Sequence, residues 1–167
     1  GSKVPVLVRN HTQSYCDEDL DGSQLVYLNQ YLSNFTTDPA VTAQFFNSLT
    51  DAQNNISPLA NPITLSGSHT FFVRLEKQDL CSEIVTLILN IKSAKKSEIL
   101  QDKKICPNTK TTLDAGPGFD TYLWSTGDTT SSITNVGIGN YWVELGFNGC
   151  TYKQFVNVSE SALPVIT

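Results

Sequence analysis

The sequence predicts an all-β protein built as two tandem β-sandwich domains, and three observations carry that prediction. Short stretches with strand periodicity are separated by turn signals at intervals of roughly 8 to 12 residues, the spacing of a sandwich. Only 16% of the residues are charged while Thr, Ser and Asn are abundant, a mixture that suits strand faces and turns better than long helices. The composition then shifts at "KSAKKSE", Lys92 to Glu98, which holds three of the 11 basic residues and nothing large and apolar. That segment reads as a linker or strand-end crossing, and it divides the chain into a first domain over 3–94 and a second over 97–160.

In the first half, "VPVLV" (Val4 to Val8) opens as a short strand, and "QLVYLNQYL" (Gln24 to Leu32) reads equally as strand or helical turn. "VTAQFFNS" contains a strand, followed by a helical turn over "LTDAQNN" (Leu49 to Asn55) with Asp51 and Gln53 toward solvent. "ISPLANPITL" carries two prolines and is expected extended at an edge. "HTFFVRLEK" and "SEIVTLILNIK" are the strongest strand candidates, joined through "QDLC". Arg74, on the first of them, is expected to point outward into solvent.

In the second half, strands are expected around Thr111 to Leu113, Tyr122 to Trp124 and up to Ile133, with a turn at Thr126-Gly127-Asp128. Asn148-Gly149 between two alternating runs is a strong hairpin signal. Trp124 at mid-strand is expected to anchor the core. Tyr141, entering its strand after Gly139-Asn140, is expected to bury its ring and bond backbone through its hydroxyl, as in a tyrosine corner.

Charge and length exclude several classes. With 11 basic against 16 acidic residues the net charge is −5 over 167 residues, the wrong sign for a nucleic-acid binder. The longest apolar run, "IVTLILNI", has strand length and falls far short of a membrane helix, so no membrane insertion is expected. Met is absent and the chain opens with Gly-Ser, which reads as a tag remnant on a piece of something longer.

The four cysteines, Cys16, Cys81, Cys106 and Cys150, form no C-x-x-C and lie far from His11 and His69 in sequence, which argues against zinc. Even, widely spaced cysteines fit an exported, disulfide-bonded protein. Three pairings are open. The two-domain reading favours the sequential one, Cys16 with Cys81 and Cys106 with Cys150, giving each domain one internal disulfide.

The stretch "CPNTKTTLDAGPGFDTYLWSTGDTTSSITNVGIGNYWVELGFNGC" (Cys106 to Cys150) closely resembles the Ig-like, PKD-like repeats of large surface proteins of the Bacteroidetes. The shared pattern is a Cys, "LDAG", an aromatic two residues before "WSTG", "TTSSI", a G-x-Y strand and a closing "GC". The first half resembles a companion repeat, with "CDEDLDG" at Cys16 to Gly22, "FF-x4-DA" at Phe45 to Ala52, Asn61-Pro62, and "FFVRLE" at Phe71 to Glu76. The resemblance implies Ig-like sandwiches in gliding-motility-associated or adhesin-like proteins exported by the type IX secretion system. It places the chain outside the cell or on the outer-membrane surface, with neighbouring repeats of the same chain as partners. Surface glycans or host and substratum ligands are further expected partners.

Two groups of residues are candidates for a site. Asp17, Asp19, Asp21, Gly22 and Ser23 match the first five roles of a calcium loop, which needs side-chain oxygens at positions 1, 3 and 5, Gly at 6 and a carbonyl at 7. Position 12, which should close the site with a bidentate Glu, is Leu28. If Cys16 pairs with Cys81, Asp79 and Glu83 come within reach as substitutes. The competing interpretation is an acidic turn held by its own backbone bonds. Trp142 is the other candidate: adjacent strand residues face opposite ways, so it points outward if Tyr141 points in, ready to stack on a sugar ring or to pack under a neighbour or a long side chain.

No catalytic group is expected. His11 and His69 have no nucleophile beside them, "GSHT" lacks the G-x-S-x-G elbow, and Asp114, Asp120 and Asp128 stand in turns, where Asp is common for conformational reasons. The expected role is therefore a non-catalytic spacer or adhesive repeat, stiffened by disulfides and calcium. The alternative is a carbohydrate-binding or accessory module of a secreted polysaccharide-active enzyme.

Overall fold

The computed structural model describes residues 7–165, so Val4 to Val6 of the expected opening strand lie outside the described residues. The protein is mostly β, with 46% strand against 9% helix, and forms two Ig-like β-sandwich domains. The first unit runs to Asp17 and from Asp21 to Lys92, and the second continues from Ser93 and takes in Glu18–Leu20.

The first unit is built from β1 (His11–Asp17), β2 (Gln24–Val26), a 3-10 turn (Leu28–Tyr31), α1 (Leu32–Phe35), β3 (Thr42–Phe46), α2 (Leu49–Asn54), β4 (Ile63–Leu65), β5 (His69–Glu76) and β6 (Glu83–Ser93). One sheet has the order β1-β6-β5-β3 and the other pairs β2 with β4. The period-2 pattern of β5 and β6 sets their register. Phe71 stands opposite Leu87 and Val73 opposite Val85, and all four are buried. Val26 and Leu65 join the same core from the β2–β4 sheet. "QLVYLNQYL" resolves as a strand followed by helical turns, so both of its sequence readings describe part of it.

The helical turn over Leu49–Asn54 forms as expected, and its ends show why. Ser48 accepts a hydrogen bond from the Asp51 N–H at 3.1 Å, satisfying one orphan donor of the first turn. Asn55 takes a left-handed conformation at the other end, φ 52°. Arg74 departs from expectation: instead of standing in solvent it donates through its guanidinium to the Ala52 and Gln53 carbonyls at 2.9 and 3.1 Å and to Glu76 at 2.6 Å. An acceptor-rich helix end lies one strand away from it, a relation that depends on tertiary packing.

The second unit comprises β7 (Lys103–Ile105), β8 (Thr111–Asp114), β9 (Thr121–Trp124), β10 (Ser132–Val136), β11 (Gly139–Phe147) and β12 (Cys150–Glu160). Its sheets are β7-β12-β11-β9 and β10-β8. Asn148 and Gly149, with φ 52° and 79°, make the two-residue turn with both residues at positive φ that the hairpin requires. Trp124 is 1% exposed and donates its indole N–H to the Thr130 carbonyl at 2.7 Å. The Tyr141 hydroxyl donates to the Gly137 carbonyl four residues upstream at 2.9 Å, so the expected tyrosine corner is present.

The segment beyond β6 is bound into the second unit through Ala94 and Ser97, while Lys95, Lys96 and Glu98 are exposed. Ser97 is buried, donates its hydroxyl to the Ala115 carbonyl at 2.7 Å and accepts from the N–H groups of Ile99 and Leu100. Gln154 clamps Ser97 from both sides, accepting from its N–H at 2.8 Å and donating to its carbonyl at 3.1 Å. Lys95 places its ammonium 5.0 Å from the ring centres of both Phe119 and Phe147. The LDAG motif completes this corner. Gly116, at φ +81°, lies where a Cβ would come within 2.8 Å of the Ile99 side chain, which is why glycine stands there.

Candidate functional site: the disulfide and the acidic loop

Cys16 and Cys150 are joined in a disulfide, while Cys81 and Cys106 are free and exposed. The expected internal bridges, Cys16–Cys81 and Cys106–Cys150, are therefore both absent, and the second unit shows why. β7 runs parallel to β12 with Ile105 opposite Glu160, and the Ser161 N–H donates to the Ile105 carbonyl at 2.7 Å. Cys106 thus stands beside the last residues of β12, whereas Cys150 is its first. An 11-residue strand is about 36 Å long, and disulfide-bonded Cα atoms must lie within about 7 Å.

The first unit argues the same way. Asn10 accepts from the Thr86 N–H near the start of β6 at 2.9 Å. β1 continues as strand beside β6 through Asp17, with Tyr15 packed on the core and Asp17 buried. Cys16 thus lies on a strand that neighbours β6, whereas Cys81 precedes β6 and is free and exposed. The bond that forms links strand β1 of one Ig-like domain to strand β12 of the other.

The acidic loop begins immediately after Cys16. Both carboxylate oxygens of Asp17 accept backbone N–H groups, from Asp21 at 3.2 Å and Gly22 at 2.8 Å. Asp21 in turn accepts from the N–H and hydroxyl of Ser23 at 2.8 and 3.1 Å. Gly22 holds φ 77° to close the turn. One oxygen from each of Asp17, Asp19 and Asp21 lies within 4.8 Å of the others. Three converging carboxylates repel one another and favour a cation, but the backbone bonds of the turn already satisfy Asp17 in its absence. Asp79 is not part of this group, and the Cys16–Cys81 bond that would have brought it near does not form. Counted from Asp17, position 12 of a calcium loop is Leu28.

Trp142 stands on the outer face of β11, opposite Phe155 on β12, and Phe155 is 72% exposed. The Lys153 ammonium covers the Trp142 ring at 4.1 Å from its centre and also approaches Glu144 at 4.0 Å. The outward direction is as expected, and the ring carries a long side chain on it. Phe155 escaped the sequence reading, although the signal was there: a two-residue turn at Asn148-Gly149 fixes the register and puts Phe155 across from Trp142.

The turn aspartates act as turn residues. Asp114 accepts from the Gly116 N–H at 2.8 Å, Asp120 from the Asn148 N–H at 2.9 Å, and Asp128 from the Thr126 hydroxyl at 2.6 Å. His11 opens β1, with its ring against Tyr31 and its Nε2 buried without a hydrogen-bond partner among the described residues. Burial and a hydrogen bond to Tyr15 push the Tyr31 hydroxyl far above the ordinary tyrosine range. No helix among the described residues is long and apolar enough to cross a membrane.

Two Ig-like domains joined by a disulfide define a module of extracellular type, since such bonds persist in oxidising compartments. The chain belongs to the Flavobacterium inter-domain disulphide bond domain family (FIDD), whose model matches residues 12–95. Its fold is that of a Bacteroidetes Ig-like domain. No curated protein matches the chain. Among solved structures it is similar to an I-band fragment of titin at 9% identity and TM-score 0.39, covering 95% of this chain and 65% of that one. It is similar to extracellular domains 3–5 of Drosophila OTK at 12% identity and TM-score 0.38, covering 92% and 60%. The chain thus spans less than two thirds of the length of both.

Proposed function

We propose that this chain is a load-bearing spacer module of an exported surface protein of the adhesin-like kind, displayed on the outer membrane or released after type IX secretion. The observation that supports this reading is the Cys16–Cys150 disulfide. When the chain is pulled from its ends, tension enters at Cys16, crosses the sulfur–sulfur bond and leaves at Cys150. Everything between is relieved of load. The 133 residues between the two cysteines are bypassed by one covalent bond, while β12 beyond Cys150 stays in the loaded path.

A calcium ion on Asp17, Asp19 and Asp21 belongs to this reading as a stiffening element, placed directly after the cysteine that receives the load. The competing role, a carbohydrate-binding module working through Trp142, has less support because Lys153 occupies the ring it would offer.

Single-molecule stretching of the full chain held by its termini tests the spacer role. The oxidised chain is expected to show no unfolding events from the bridged segment. After reduction, about 134 further residues extend, roughly 450 Å of added contour at ~3.3–3.6 Å per residue, released in two domain-sized steps. Equal extension before and after reduction would contradict the load-bearing role.

A further inference from the structure

The sheet β7-β12-β11-β9 turns Val143, Leu145, Val156 and Val158 into the core of the second unit. The residues between them point the other way, and the register arranges these in rows across β11 and β12. Asn140 stands opposite Asn157, Trp142 opposite Phe155, and Glu144 opposite Lys153. Leu123 on β9 extends the last row. Phe155 is 72% exposed and Leu123 41%. Large apolar side chains therefore stand together in solvent on one sheet face, with a hydrogen-bonded amide pair, Asn157 to Asn140, on one side and charges on the other, the make-up of an interaction surface.

Charge on this face is balanced. Glu18, which the second unit takes in, borders the Glu144–Lys153 row and adds a second acid. Lys104, exposed on β7 beside Ser159, adds a second base. Two such faces brought together accumulate no net charge.

The face is also complementary to itself. A two-fold axis laid along the strands, midway between β11 and β12, exchanges the two strands of facing copies and keeps each row in place. Trp142 then meets Phe155 of the second copy, and Glu144 meets its Lys153. Aligned sheets pack at about 30° to one another, which leaves the rows nearest the axis in register. Within one copy the Lys153 ammonium lies 4.1 Å from the Trp142 ring centre and only 4.0 Å from the Glu144 carboxylate. The two-fold contact gives the lysine a carboxylate shielded from water and gives the ring an aromatic partner.

We propose that this chain associates side by side with a second copy of itself through the outer face of this sheet. The contact is isologous, so it closes at a dimer.

Analytical ultracentrifugation of the full chain tests this, with the Cys16–Cys150 bond intact and Cys81 and Cys106 alkylated. The expected result is a reversible monomer–dimer equilibrium. Phe155→Ser is expected to weaken it by about 10-fold or more, through loss of a central aromatic anchor. Glu144→Lys alone and Lys153→Glu alone each set like charges against one another and weaken it too. An equal mixture of these two variants restores the dimer, because each altered face then meets its opposite. An unchanged circular dichroism spectrum and a retained Cys16–Cys150 link verify that the variants fold. The proposal is overturned by a chain that stays monomeric up to about 1 mM, or by assembly that continues past the dimer. A dimer indifferent to Phe155→Ser, or a mixture no more dimeric than either charge variant alone, overturns it equally. So does a monomer whose tryptophan fluorescence shifts with soluble oligosaccharides, which would assign the face to a glycan.

Discussion

At the scale of single residues, polar side chains finish what the strands leave open. Arg74 supplies donors to two carbonyls at the end of α2, where no further helical N–H exists to meet them. Replacing it with Ala strands those carbonyls and removes packing by its stem. Arg74→Ala is expected to destabilise the first domain by about 1–2 kcal/mol, read as a lowered denaturant midpoint with an unchanged slope. Arg74→Lys should recover only part, because a single ammonium cannot reproduce the fork. Ser97 and Gln154 do similar work in the second domain, and neither role was legible in the sequence. An Arg on a strand and a Ser in a basic stretch both look like solvated residues until the packing is known. Trp124 and Tyr141 were legible, because their surroundings are local: each bonds backbone six or four residues away.

At the scale of elements, legibility followed hydrophobic pattern. β5, β6 and the β11–β12 hairpin combine alternation with clear turn chemistry and stand where the sequence put them. β1 did not announce itself, because "HTQSYCD" is polar on its exposed edge and buries only part of one side. β7 is three residues long and pairs in parallel with a strand more than fifty residues later, a relation no local signal encodes. The acidic loop belongs to this scale too. Its turn is internally bonded, and its three carboxylates converge. Calorimetric titration with calcium, and melts in calcium and in EDTA, are expected to show weak binding, in the range of about 10⁻⁴–10⁻³ M for extracellular modules. The accompanying rise in melting temperature should vanish in Asp19→Ala. Absence of heat with identical melts would leave the loop as an acidic turn only.

At the scale of the whole molecule, the cysteine pairing is what sequence order concealed. Assigning neighbours along the chain to each other assumes that each sandwich closes on itself. In a sandwich, however, strand direction decides which end of the sheet a cysteine occupies, and Cys106 and Cys150 fall at opposite ends of β12. The bond that results closes a loop of roughly 135 residues, which on the chain-entropy model restricts the unfolded chain by about 5 kcal/mol before strain. It also makes the two domains one covalent unit. The decisive measurement is peptide mapping of the chain digested without reduction, with free thiols blocked beforehand. A Cys16–Cys150 linked peptide, with Cys81 and Cys106 both carrying the blocking group, is the predicted result. Linked peptides joining Cys16 to Cys81 and Cys106 to Cys150 would contradict it and return the chain to two separately bridged domains.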